Sequence, residues 1–230
     1  MIVENFQLDK CRGLESIVMD GSSEIIVVKA SVAMVSKKIV QLKPEVKLHA
    51  DVFGRAIQAK ERGIILFQLR GFDWTVLYMY RKGLRRSWLK KLLSHLSDTL
   101  QTRAMFLAIT DTSPYTYHQV WDNGESVEHF IFEDEIIKLE SKIRQVSETY
   151  ADHNALDDFY GEQGVYFPYI EITSEPVENN DKSSFIFKVS GEFDWCLSKQ
   201  LKHLSSKECG KAYQLERSDF EGFDYITFED

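Results

Sequence analysis

Apolar residues follow two periods along this chain: short β-branched or alternating runs, which fit strands, and recurrence at three and four, which fits helices. Ile64–Leu69 and Thr75–Tyr80 are runs of the first kind. They are parted by Arg70-Gly71-Phe72-Asp73, whose glycine marks a turn between antiparallel strands. Leu89, Leu92, Leu93, Leu96 and Leu100 recur at helical spacing behind Ser87, a residue suited to an N-cap. An amphipathic helix covering one sheet face is therefore expected. Arg103–Ile109, Tyr115–Trp121 and Val127–Phe132 read as further strands. The last two are joined through Asp122-Asn123-Gly124, and Asn-Gly readily takes the positive φ angles of a tight hairpin.

The flanking segments are less sharply patterned. Leu14–Met19 and Glu24–Ala30 surround Asp20-Gly21-Ser22-Ser23 and predict a hairpin. Val32–Val35 and Ile39–Lys43 fit a second hairpin, although Val32, Val35, Ile39 and Leu42 also keep helical spacing; the β-branched content favours strands. Asp51 is placed to cap a short helix reaching about Lys60, with Phe53, Ala56 and Ile57 inward. Ile136, Leu139, Ile143, Val146 and Tyr150 predict a connector helix over Glu135–Tyr150. Asp152–Gly164 is acidic and glycine-bearing, and reads as a loop.

An ordered series of matches links the middle of the chain to its end. Glu61–Ile64 corresponds to Glu162–Val165, and the strands Val165–Ile172 and Phe185–Val189 correspond to the first two strands of the middle region. Trp88 corresponds to Trp195 and His95 to His203; nine residues after each histidine stand Ala104 and Ala212. The two stretches close on Phe132-Glu133-Asp134 and Phe228-Glu229-Asp230. Such a series implies duplication. The expected fold class is α+β: two related, mostly antiparallel sheet-plus-helix modules of order β-β-α-β-(β)-β, a tandem pseudo-repeat docked into one globule. Residues 1–60 would pack on module one (61–134), and a connector helix and acidic loop (135–161) would lead to module two (162–230).

Charge adds a second asymmetry. The net charge of −8 conceals a first part, residues 1–110, with 18 Lys/Arg against 10 Asp/Glu, and a second, 111–230, with 10 against 26. Complementary parts of one fold, or two unlike surfaces for partners, both follow from such a split. No apolar run reaches the length of a membrane span, because Arg70 and Asp73 interrupt the longest one. The N-terminal residues lack a basic region followed by an apolar one, and Cys11, Cys196 and Cys209 have no C-x-x-C spacing. A cytoplasmic protein with reduced thiols is expected.

Familiar catalytic and nucleotide motifs are missing: there is no G-x-x-x-x-G-K, G-x-G-x-x-G, G-x-S-x-G or H-E-x-x-H. Four constellations remain. Arg81, Lys82, Arg85, Arg86, Lys90 and Lys91 surround Trp88 at a helix start, a pattern that suits phosphates or carboxylates, or simply a solvated helix face. Tyr115, Tyr117 and Trp121 share one strand face, either as core or as a surface that stacks bases or anchors a protein. Asp111 and His118, with Asp122, Glu125 and His129 near in sequence, offer an acid-base pair. Asp152 and His153, with Asp157, Asp158 and Glu162, fit an acidic linker better than a metal site.

The reading that follows is a non-enzymatic protein that binds another protein, in a regulatory or toxin-neutralising role, through the acidic surface of its second part, without cofactor or metal. Nucleic-acid binding through the basic 81–91 stretch and an enzyme built on Asp111 and His118 are the alternatives.

Overall fold

The computed structural model describes residues 22–55, 57, 62–81, 85–110, 115–133, 136–145, 153–165, 170–176, 183–189, 213–214 and 217–228. In chain order these form β1 (Ser22–Val28), α1 (Val32–Leu42), β2 (Val46–His49), β3 (Arg62–Leu69), β4 (Thr75–Arg81), α2 (Arg86–Leu100) and β5 (Arg103–Thr110). Then follow β6 (Tyr115–Asp122), β7 (Glu125–Glu133), β8 (Ile136–Ser141), α3 (His153–Glu162), β9 (Ile170–Pro176), β10 (Ser183–Val189), β11 (Tyr213–Gln214) and β12 (Phe220–Phe228). The fold is mixed α+β and is dominated by one large antiparallel sheet of nine strands, in the order β2-β12-β3-β4-β1-β5-β6-β7-β8. A separate three-stranded sheet has the order β11-β10-β9. None of the described helices is long and apolar enough to cross a membrane.

Burial on both faces explains why the central strands are almost continuously apolar. Ile25 to Val28 of β1 and Ala104 to Ala108 of β5 are all buried. Successive side chains alternate between two layers: Ile26, Val28, Ala104, Phe106 and Ala108 join α1 and α2, whereas Ile25, Val27, Met105 and Leu107 join Leu156, Phe159 and Tyr160 of α3. The nine-stranded sheet is thus the middle layer of the described structure.

The β3–β4 hairpin, the α2 helix and the β5, β6 and β7 strands lie where the periodicity puts them. At the β6–β7 turn Asn123 has φ 50° and Gly124 φ 86°, the two positive angles of the twisted two-residue hairpin. Four local expectations are corrected. Residues 32–42 are helix, not a strand pair, because Val32, Val35 and Ile39 bury one stripe against the sheet; that burial outweighs β-branched propensity. Residues 51–55 are turns: Asp51 sits at φ 49° and its N–H donates to Asp224, so it caps no helix there. Ser87 lies inside α2, and Arg85 occupies the cap position. Ile136–Ser141 is an edge strand paired to β7, with Lys138 and Glu140 exposed on either side of half-buried Leu139, so period two prevails over the three-and-four spacing.

A fifth correction concerns 153–162, expected as a loop and found as α3. Leu156, Phe159 and Tyr160 form an i, i+3, i+4 stripe buried against the sheet, and the acids interspersed among them conceal that stripe in the sequence. In the stretch read as a second module, β9 and β10 pair antiparallel, and β12 inserts between β2 and β3 of the large sheet. The expected counterpart helix with Trp195 and His203, the turn at Asp20-Gly21, and residues 146–150 of the expected connector helix lie outside the described residues.

Candidate functional site

The basic helix start and the aromatic strand, separate constellations in the sequence, meet in space. Arg86 stacks over Tyr115 at 4.9 Å from the ring centroid, and Lys90 Nζ stands 3.8 Å over Tyr117. The match is geometric: four residues of helix advance about 6 Å, and two residues of strand advance about 6.6 Å. A helix running along β6 therefore presents each fourth side chain to each second strand position.

Further along this ladder a shallow groove of about 520 Å³ opens between α2 and the β6–β7 turn, lined by Lys90, Lys91, Ser94, His95, Asp98, Gln119, Trp121, Asn123 and Gly124. Its walls are tied down locally. Buried Ser97 donates to the Thr102 carbonyl at 2.6 Å and accepts the Gly124 N–H at 3.0 Å, which joins the last turn of α2 to the hairpin. A Cβ at Gly124 would lie 2.7 Å from Asp98 Cβ, so the turn can approach the helix only as glycine.

Lys90 is the unusual charge here. It is half-buried, and no carboxylate among the described residues pairs with it; its neighbour is the Tyr117 ring. Burial first, and the nearby Arg86 second, pull its pKa below the ordinary lysine value. Tyr117 is buried, its phenol is held protonated by burial and then by Tyr115, and its hydroxyl donates to Gln119. His129, across the strand, packs edge-on to Tyr117 at 5.3 Å; burial and then Lys90 lower its pKa.

The other residues singled out in the sequence disperse. Arg85 and Lys91 are exposed, and Arg86 shares its charge with Glu24 at 3.0 Å. Trp88 is half-buried, edge-on to Phe228 at 5.6 Å with Lys43 5.8 Å above it, away from the groove. Trp121 is 4% exposed and contributes only an edge to the groove. Arg81 ends β4, and Lys82 and Asp111 lie outside the described residues.

His118 finds partners that sequence proximity did not indicate. Its Nε2 lies 2.9 Å from Glu128 Oε1 and its Nδ1 3.2 Å from the Tyr160 hydroxyl, all three groups buried. Arg144 holds Glu128 with two hydrogen bonds of 2.8 and 2.7 Å, and Ser141 adds a third at 2.9 Å. Asp122 instead pairs with Arg103 at 2.5 Å, and Glu125 with Lys142. The signal that would have found Glu128 is a β-bulge. A regular two-residue hairpin would set His129 opposite His118, but the register shift between Val120 and Trp121 brings Phe130 opposite His118 and turns Glu128 to the same face.

The chain matches no protein-family model, no curated protein and no solved structure.

Proposed function

We propose that this protein acts by binding rather than by catalysis, and that the groove between α2 and the β6–β7 turn receives an acidic segment of a partner protein. One observation carries the reading: Lys90 keeps a half-buried ammonium over the Tyr117 ring at the groove wall without a carboxylate partner among the described residues. A carboxylate arriving there gains a charge-assisted hydrogen bond where water is already partly displaced. Lys91 and His95 line the same wall and extend the attraction, while Asp98 disfavours a ligand that is anionic along its whole length.

The alternatives are served less well by the geometry. The faces of Tyr117 and Trp121 are buried and leave no platform for a base, which weakens the nucleic-acid reading. His118 is closed in by protein, which weakens the acid-base reading. Binding through the acidic second part, a cytoplasmic setting and an internal duplication remain parts of the proposal that rest on sequence pattern and charge count.

The test is a calorimetric titration of the full chain with a short glutamate-rich peptide at low and high salt. Salt-sensitive binding that Lys90→Ala weakens roughly tenfold or more supports the reading. No binding, or binding that Lys90→Ala leaves unchanged, overturns it.

A further inference from the structure

We propose that α3 is a pH-controlled cover on the sheet: protonation of His118 releases Tyr160, and with it the helix, while the nine-stranded sheet stays folded. The hydrogen-bond inventory around His118 leads there. Glu128 accepts from Arg144 and Ser141 and is an ionised acceptor, so the Nε2 that lies 2.9 Å from it carries a proton. With the ring neutral, Nδ1 accepts the O–H of Tyr160 at 3.2 Å. A second ring proton makes Nδ1 a donor, and the phenol must then turn its own O–H toward apolar neighbours. Phe159 stands edge-on to both rings, 5.5 Å from His118 and 5.9 Å from Tyr160.

The charges facing His118 do not relieve this. Glu128 on β7 is the nearest, and a new imidazolium would share it with Arg144 from the bend after β8. The Arg144 guanidinium itself lies over Phe159 at 3.8 Å, and Glu162 at the end of α3 acts on Arg144. Ser141 on β8 and Tyr160 on α3 add uncharged polar groups, while His129, on the opposite face of β7, adds no negative charge. Burial, working against the pull of Glu128, already holds His118 below its ordinary pKa, so release falls on the acidic side of the usual histidine range.

The helix is the element free to respond. α3 has ten residues, too few to persist by propensity alone, so its docking contacts decide whether it forms. Those contacts include Leu156, Phe159 and Tyr160 on the sheet, Arg144 over Phe159 and, at the helix end, the Trp74 indole N–H donating to the Gln163 carbonyl at 3.0 Å and Arg103 donating to the Gln163 side chain. The sheet beneath is held by ladders that do not involve His118 side-chain atoms. Departure of α3 lets water reach Nδ1 and removes the conflict.

Amide hydrogen exchange, corrected for intrinsic rates, tests the proposal on the full chain between about pH 7.5 and about pH 5, the interval in which a histidine changes charge. Peptides spanning 153–165 should lose protection by roughly tenfold or more while β5 peptides keep theirs. The ring ¹⁵N shifts of His118 should report protonation over the same interval, and His118→Gln, which does not titrate, should abolish the step. If that variant fails to fold, coincidence of the ¹⁵N titration with the exchange step in the unaltered protein decides alone. Constant α3 protection, joint loss of α3 and β5 protection, or opening of α3 while His118 stays neutral overturns the proposal.

Discussion

Lys90 stands over the ring of Tyr117, its Nζ 3.8 Å from the centroid, and this pair joins the start of α2 to the aromatic face of β6. The lysine stem packs on the strand while the ammonium reaches the groove. Lys90→Met keeps most of that packing and removes the charge. Affinity for an acidic peptide should then fall, whereas stability should move by no more than about 2 kcal/mol, the scale of a partly desolvated cation–π contact. Paired calorimetric and urea titrations separate the two effects. A large stability loss with unchanged affinity would make Lys90 a packing residue and detach it from the groove.

Gly124 meets two demands at once, a φ of 86° and a Cβ position 2.7 Å from Asp98. Gly124→Ala should therefore destabilise by about 2 kcal/mol or more, since strain and overlap act together. Asp98→Gly in the same chain should recover part of the loss by removing the overlapping atom. Thermal melts of the single and double variants measure this. Equal melting temperatures for Gly124→Ala and the unaltered chain would mean that the turn yields freely.

How much of this was legible in the sequence depends on whether local pattern and tertiary burial agreed. The β3–β4 and β6–β7 hairpins and α2 were readable because turn chemistry and periodicity pointed the same way at Gly71, Asn123-Gly124 and the leucine stripe. α1 was misread because valine and isoleucine favour strands locally, while the sheet rewards the stripe of Val32, Val35 and Ile39. α3 was hidden by the acids around Leu156, Phe159 and Tyr160. At the groove, the basic and aromatic runs were visible, but not that Arg86 and Lys90 would rest on Tyr115 and Tyr117, because that depends on how α2 lies along β6. The partnership of His118 with Glu128 was invisible because a single bulged residue in β7 changes which side chains share a face.

Stability should fall on acidification through the histidine range. His49, His118 and His129 all have their pKa lowered, with burial as the first cause in each. The unfolded chain then binds more protons than the folded one as pH drops below the ordinary histidine value. The stabilising contribution is fully present above the unfolded pKa of about 6.5 and is lost as pH falls toward the folded values. Urea midpoints at about pH 8 should exceed those at about pH 5.5, where carboxylates with ordinary pKa values are still ionised. A higher midpoint at the acidic end would mean that these histidines gain partners on folding instead of losing water.

Half-buried Arg144 and buried Glu128 form a bidentate ion pair, so the losses from removing each member should not add. Burial raises the Glu128 carboxyl, yet hydrogen bonds from His118 and Arg144 outweigh it and hold the group below its ordinary value. Glu128→Gln leaves Arg144 with its charge uncompensated on that side and should destabilise by about 3 kcal/mol or more. Arg144→Met leaves Glu128 with His118 and Ser141 and should be of similar size or smaller. In the double variant neither charge remains, so its loss should be clearly less than the sum of the two singles, with a coupling of about 1 to 3 kcal/mol. Urea unfolding of the four proteins closes the cycle. Strict additivity would mean that water reaches this pair and screens it, and the buried network beneath α3 would then hold the helix far less firmly than its geometry implies.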